Sequence, residues 1–191
     1  MNVTIGMPIL DNVDGHTVNS LIGLIGSNGQ HPITFIPSIG TTVIHDARNH
    51  VIKEAYKGDF DALLFIDSDM EFPPDTLQRL IDRDKDIVGV LYGNKVTGKP
   101  NTFVYDQYTD KFKKINVKPQ QGLVEVGAVG TGIMLIKKYV LDRVRCPWFY
   151  YEAGVGEDVN FCKVATLAGF KVYVDTDINI GHIGKRIWRL Q

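Results

Sequence analysis

Hydrophobic and polar positions fall into two regimes along this chain. Up to about Leu91, short apolar runs alternate with stretches whose apolar residues recur at helical spacing. Val3 to Ile9 predicts a β-strand ended by Asp11-Asn12, and Thr17 to Ile25 a helix ended by Gly26-Ser27-Asn28-Gly29. Ile33 to Ile36 predicts a short strand stopped by Pro37. Thr41 or Thr42 is placed to cap a helix running through Val43, Ala47, Val51, Ile52 and Ala55 to Lys57-Gly58. Ala62-Leu63-Leu64-Phe65-Ile66 is apolar at every position, as a central strand covered on both faces requires. Pro73-Pro74-Asp75 then opens a helix with Leu77, Leu80 and Ile81 as its buried stripe, and Ile87 to Leu91 returns as a strand. This βαβαβαβ succession predicts a parallel sheet with right-handed crossovers.

The pattern then changes. Asn101 to Tyr105, Phe112 to Val117, Leu123 to Val129 and Gly132 to Lys137 read as strands joined by short polar turns. Helices follow at about Tyr139 to Arg145 and Glu157 to Ala168, then short strands at Lys171 to Val174 and Ile178 to Ile180. No repeat, low-complexity tract or linker interrupts the chain. The expectation is one α/β domain over residues 1–191. A nucleotide-binding-like half with a mostly parallel sheet (about 1–95) is fused to a mixed-sheet half (about 96–191).

Composition narrows the functions. The chain has 191 residues, a size for one ordinary domain, and 44% hydrophobic residues supply a proper core. With 21 Lys+Arg against 22 Asp+Glu there is no basic excess to neutralise a phosphate backbone, which argues against a dedicated nucleic-acid binder. No apolar run reaches the length of a membrane span, and Met1-Asn2-Val3-Thr4-Ile5 lacks the features of a signal peptide. Cys146 and Cys162 form no CxxC pair, so a reducing compartment is the default and the cytoplasm the expected location.

The candidate chemistry lies in acidic stretches. The central apolar strand runs out into Asp67-Ser68-Asp69, whose two carboxylates project to the same side by the strand's period of two. Such a pair repels itself unless something compensates, and a hard divalent cation such as Mg²⁺ or Mn²⁺ does so. The position also fits, because open α/β sheets bind ligands beyond the carboxyl ends of their strands. By itself a DxD is equally a solvated acidic turn. In Gly154-Val155-Gly156-Glu157-Asp158, glycines lead into paired acids at a helix N-terminus, where the dipole favours a carboxylate as base, ligand or plain cap. His182 follows a strand and stands just after Gly181, with Gly184 two residues on, where backbone can approach a ligand.

Taken together, these stretches resemble the GT-A glycosyltransferases, particularly the family-2-like group. Asp67-Ser68-Asp69, Gly156-Glu157-Asp158 and His182 stand in that family's order. Between them, Gly127-Ala128-Val129-Gly130-Thr131-Gly132 looks like its glycine-rich pocket floor, and Ala47-Arg48-Asn49 like its nucleotide-side element. The resemblance spans roughly residues 3 to 184. It implies a GT-A-like fold and transfer of a sugar from a nucleoside-diphosphate donor, best guessed as a UDP-sugar, to a hydroxyl-bearing acceptor. It implies Asp69 and His182 as direct ligands of Mn²⁺ (or Mg²⁺), with Asp67 reaching the metal through water or holding the ribose. Asp158 would be the catalytic base and Glu157 an acceptor-orienting or capping acid. Asp11, Arg48, Ser68, Lys95 and Gly132 would border the nucleotide sugar. Members usually continue well past the metal histidine, whereas only Ile183-Gly184 and then Lys185 to Gln191 follow it here. The expected acceptor site is open, completed by a partner subunit (a homo-oligomer among the options), or shaped for a large acceptor. Trp148-Phe149-Tyr150-Tyr151 offers a wall for a sugar ring or, equally, core packing.

Two other readings stand beside this one. A nucleotidyltransferase also uses paired carboxylates and a metal, but it usually carries a Gly-rich basic loop after its first strand, where this chain has Pro8-Ile9-Leu10-Asp11-Asn12-Val13-Asp14. A catalytically inactive GT-A-like domain that binds carbohydrate or a partner is the non-enzyme alternative. The early chain has neither GxGxxG nor GxxxxGK[ST], which disfavours a dinucleotide oxidoreductase or P-loop kinase.

Overall fold

A computed structural model describes residues 1–95, 98–106, 108–109, 111–152 and 154–184. In the first part of the chain, β1 (Val3–Ile9), α1 (Gly15–Ser27), β2 (Ile33–Ile39), α2 (Ile44–Ala55) and β3 (Ala62–Ile66) alternate, followed by β4 (Met70–Glu71), α3 (Thr76–Asp82) and β5 (Ile87–Val90). Then come β6 (Thr102–Asp106), β7 (Lys111–Lys114), β8 (Leu123–Val126), β9 (Ala128–Val129) and β10 (Ile133–Lys137). The chain continues with α4 (Lys138–Arg143), α5 (Glu157–Leu167), β11 (Val172–Asp175) and β12 (Gly181–His182).

The main sheet has seven strands in the order β2-β1-β3-β10-β5-β11-β8. Strands β2, β1, β3, β5 and β11 run one way and β10 and β8 the other, so the sheet is mixed but mostly parallel. The strands expected up to Leu91 are present, but β3 and β5 are not neighbours. β10 lies antiparallel between them, pairing Ile133 with Ile66 on one side and Leu135 with Val88 on the other. Period-two alternation sends Leu63 and Phe65 to one face and Ala62, Leu64 and Ile66 to the other. The first face is covered by α2, α4 and α5 through Val51, Leu141 and Phe161, the second by α1 and α3 through Leu24, Leu77 and Leu80. Every residue of β3 is buried.

Several local expectations are corrected. β2 does not stop at Pro37 but continues to Ile39, because it is an edge strand with β1 as its neighbour, and proline's missing N–H is tolerated on an open edge. Neither Thr41 nor Thr42 caps α2. Its N-cap is Val43, whose carbonyl accepts from the backbone of Asp46 and Ala47, while Thr41 turns to the Ser38 hydroxyl. The run Leu123 to Val129 is split at Gly127, where the chain presses so close to β6 that an added Cβ would lie 2.8 Å from the Val104 carbonyl carbon. Ile178 to Ile180 is not a strand; the ladder forms one step later, where Gly181–His182 pairs with Met70–Glu71. Lys185 to Gln191, on which the acceptor-site expectation turned, lie outside the described residues.

Candidate active site

The site is built where β1 and β3 end. The chain leaving β3 is tied down by the Asp67 backbone N–H, which donates to the Gly132 carbonyl at 2.9 Å, and then enters the short β4. Because β12 pairs with β4 in the register His182–Met70, and the Ile183 N–H donates to the Asp69 carbonyl at 2.9 Å, the late histidine is brought to the first acidic motif. His182 Nε2 stands 3.6 Å from Asp69 Oδ1. Asp67, Ser68, Asp69, Asn94, Lys95 and His182 line a cleft of about 520 Å³, closed opposite by Pro8, Ile9, Leu10, Thr41, Thr42 and Ile44.

The second acidic motif meets the first through Arg48. Its guanidinium is buried beneath the cleft, within 5.4 Å of the Phe65 ring centre and 5.8 Å of Phe149. Nη2 donates to Asp67 Oδ1 at 3.0 Å, and Nε stands 3.6 Å from Glu157 Oε1. Burial alone would lower the Arg48 pKa, but Asp67, Glu157 and Asp158 outweigh it and hold it raised. Asp67 is also raised, by burial first, with Arg48 opposing. Asp158, in the first turn of α5, accepts from the Val159 N–H at 2.8 Å. Burial, with Glu157 beside it, pushes its carboxyl up to about 6. That value suits a group that takes a proton near neutrality.

Each sequence candidate therefore has a place. Asp69, Asp67, Ser68, Lys95 and His182 share the cleft. Lys95 donates to Asp69 Oδ2. Arg48 lies under the cleft and joins Asp67 to Glu157, so the structure gives it a bridging position that its helix location alone did not suggest. Glu157 is buried, and its carboxylate also takes the Tyr151 hydroxyl. Gly132 packs against the Tyr92 ring and holds Asp67 from behind. Asp11 is exposed, one residue past the lining Leu10. Of the aromatic run, Trp148 and Phe149 are core, pinned by Asn49, whose Oδ1 accepts from both backbone N–H groups at 3.1 Å. Tyr151 is the exposed ring, edge-on to His45 at 5.3 Å.

Sequence reasoning missed Tyr92 and Gly93. Tyr92 stands edge-on to His182, with ring centres 5.1 Å apart, and its hydroxyl accepts from the Gly132 N–H at 3.2 Å. The Gly93 carbonyl faces His182 Nδ1 at 2.9 Å. Both lie within three residues of the end of β5, and the rule that ligands gather beyond strand ends was the available signal.

The Gly93 contact also tests whether the residues suit a divalent cation. A carbonyl only accepts, so Nδ1 carries the hydrogen and Nε2 presents its lone pair toward Asp69, as metal-binding histidines are oriented. The 3.6 Å spacing lets one ion at roughly 2.0–2.2 Å from each ligand touch both. Among the described residues no cluster of three or more His, Cys, Asp or Glu is formed; a cation held by Asp69 and His182 would leave its other positions to phosphate oxygens and water.

A mostly parallel α/β sheet with paired acids at its central strand end and a histidine returned to them defines a GT-A-type domain. The chain belongs to glycosyl transferase family 2, whose model matches residues 25–144, a span that holds Arg48, Asp67–Asp69, Lys95 and Gly132 but stops before Glu157 and His182. Among solved structures, A197 from STIV superposes with a TM-score of 0.69 at 19% identity, over 97% of this chain and 87% of that one. TarS 1–349 of S. aureus in complex with UDP-GlcNAc matches with a TM-score of 0.60 at 15% identity, over 99% of this chain. GalNAc-T7 with UDP, GalNAc and Mn²⁺ matches at 0.61 and 12% identity, over 97%. The chain spans 60% of that TarS chain and 43% of the GalNAc-T7 chain. At such identities the likeness is one of fold. Among curated proteins none matches the sequence. No helix among the described residues is long and apolar enough to cross a membrane.

Proposed function

We propose that this protein transfers a sugar from a nucleoside-diphosphate sugar to an acceptor hydroxyl. The observation that carries the reading is the return of one oriented histidine to the first acidic motif at the cleft, with Asp69 and His182 3.6 Å apart, while Arg48 ties Asp67 to Glu157 of the second motif below. Asp69 and His182 would hold Mn²⁺ in preference to Mg²⁺, since imidazole suits the softer ion. When bound, the ion would stabilise the charge gathering on the departing diphosphate. Asp67, fixed by Arg48, faces the ribose or a metal-bound water, with Ser68 beside it. Asp11, just past the cleft wall, is assigned to the base or ribose, and Gly132 to the floor. Asp158 takes the proton of the acceptor hydroxyl, and Glu157, held by Arg48 and Tyr151, fixes the turn that presents it. The UDP-GlcNAc of the TarS structure and the UDP and Mn²⁺ of the GalNAc-T7 structure make a UDP-sugar with Mn²⁺ the first combination to try.

The test is incubation with a panel of sugar nucleotides, with and without Mn²⁺, following nucleoside-diphosphate release. Metal-stimulated turnover of one donor, lost in Asp69→Ala and His182→Ala, is expected. Release of pyrophosphate from a nucleoside triphosphate would favour nucleotidyl transfer instead. Silence across the panel, with no thermal shift on adding donor and Mn²⁺, would favour a binding domain.

A further inference from the structure

The segment after β5 touches both groups assigned to the cation. At its base the Gly93 carbonyl orients His182, and two residues on the Lys95 ammonium donates to Asp69. On either side of Lys95, Gly93 bridges to Pro100, the Asn94 N–H donates to the Lys99 carbonyl at 2.9 Å, and the Gly98 N–H to the Asn94 carbonyl at 2.8 Å. The pair itself is half-exposed, with the Lys95 side chain at 36% and that of Asp69 at 32%, so it exchanges readily with other ions. Asp67 is engaged by Arg48 from below, which leaves Asp69 as the carboxylate for which two cations compete.

We propose that Lys95 is a resident counter-ion of Asp69 that yields the carboxylate to the divalent cation and carries its own charge to the phosphate oxygens of the donor. The inference rests on the metal reading above. A lysine stem has four flexible carbons and moves its ammonium several ångströms without any change of backbone. Lys95 sits on Oδ2 and the cation would sit on the Oδ1 side facing His182, so the two positive charges repel across one carboxylate and the ion pair weakens when the cation binds. Once Asp69 carries the divalent ion, the released ammonium leaves the cleft net positive, the sign a diphosphate needs. Before that exchange the pair keeps Asp69 neutralised and lowers the apparent affinity for metal alone, as any competing bound state does.

The test uses the full chain and measures free Mn²⁺ by electron paramagnetic resonance for the wild type, Lys95→Gln and Asp69→Asn, first with Mn²⁺ alone and then with inorganic pyrophosphate added. Lys95→Gln is expected to bind Mn²⁺ alone roughly two- to fivefold more tightly than wild type, the worth of one exposed ion pair. Pyrophosphate should then tighten Mn²⁺ binding less in Lys95→Gln than in wild type. Unchanged Mn²⁺ affinity in Lys95→Gln, with Asp69→Asn binding lost, overturns the counter-ion role while the metal site stands. Binding by Asp69→Asn equal to wild type, or no binding by any of the three, overturns the metal assignment itself and Lys95's role with it.

Discussion

Replacing Asp158 with asparagine is expected to make the protein more stable and nearly inactive at the same time. The carboxyl is pushed up by burial, and by Glu157, from an ordinary value of 3.8 to about 6. A carboxylate raised in the folded state binds a proton there that the unfolded chain has released, so stability is lost as pH rises from about 4 through 6. At about 1.4 kcal/mol per pKa unit, the ionised group costs at most about 3 kcal/mol at pH 7. Asp158→Asn removes that cost and keeps the shape, so its midpoint in urea should exceed the wild type's at pH 7 and converge with it near pH 4. Catalysis should move the other way. General-base assistance contributes about 10²- to 10⁴-fold, and the variant should lose that factor in turnover with donor affinity nearly unchanged. Wild-type kcat/KM should fall about tenfold per pH unit below 6. The assay is paired: denaturation at several pH values, and transfer rates with whichever donor the sugar-nucleotide panel selects. Glu157→Gln is the control and should lose less transfer. Near wild-type transfer by Asp158→Asn, or greater damage from Glu157→Gln, refutes the assignment.

Two further outcomes follow from the same geometry. Arg48→Met strands Asp67 and Glu157 without their shared cation and should cost about 3–5 kcal/mol in chemical denaturation at pH 7, whereas a loss below about 1 kcal/mol would mean the bridge contributes little. Gly132→Ala places a methyl 2.8 Å from Tyr92 Cζ and should cost about 1–3 kcal/mol in thermal unfolding. It should also weaken Mn²⁺ binding, because the displaced ring is the one packed against His182.

How much could be read from residues alone depended on the range of the interaction. β3 and its acidic exit were legible because five consecutive apolar residues and two carboxylates at period two are local facts. The position of Asp158 at the start of α5 was legible for the same reason. β12 was not, since two residues acquire strand geometry only from Met70 and Glu71, over a hundred positions away. Nor was the placement of β10. An apolar run signals burial, and nothing in it records direction or neighbours. The end of β2 was misjudged because Pro37 blocks a central strand but not an edge, and edge status is a property of the whole sheet. Arg48 was legible as a charge near the site, but a cation buried between two aromatic rings and two acids cannot be told from a surface one until α2 is packed.

The insertion of β10 also sets a timetable for the nascent chain. β3 meets β1, already made, along one edge, but its other edge belongs to β10, where Ile66 waits for Ile133. At synthesis rates of about 5–20 residues per second, those 67 residues take roughly 3–13 s to appear. For that interval the strand that runs out into Asp67 presents an unpaired edge of wholly apolar residues to whatever else is in solution. The strand that leads into the candidate active site is thus also the place where an emerging chain most needs shelter, and a chain cut short before residue 133 would carry that edge permanently.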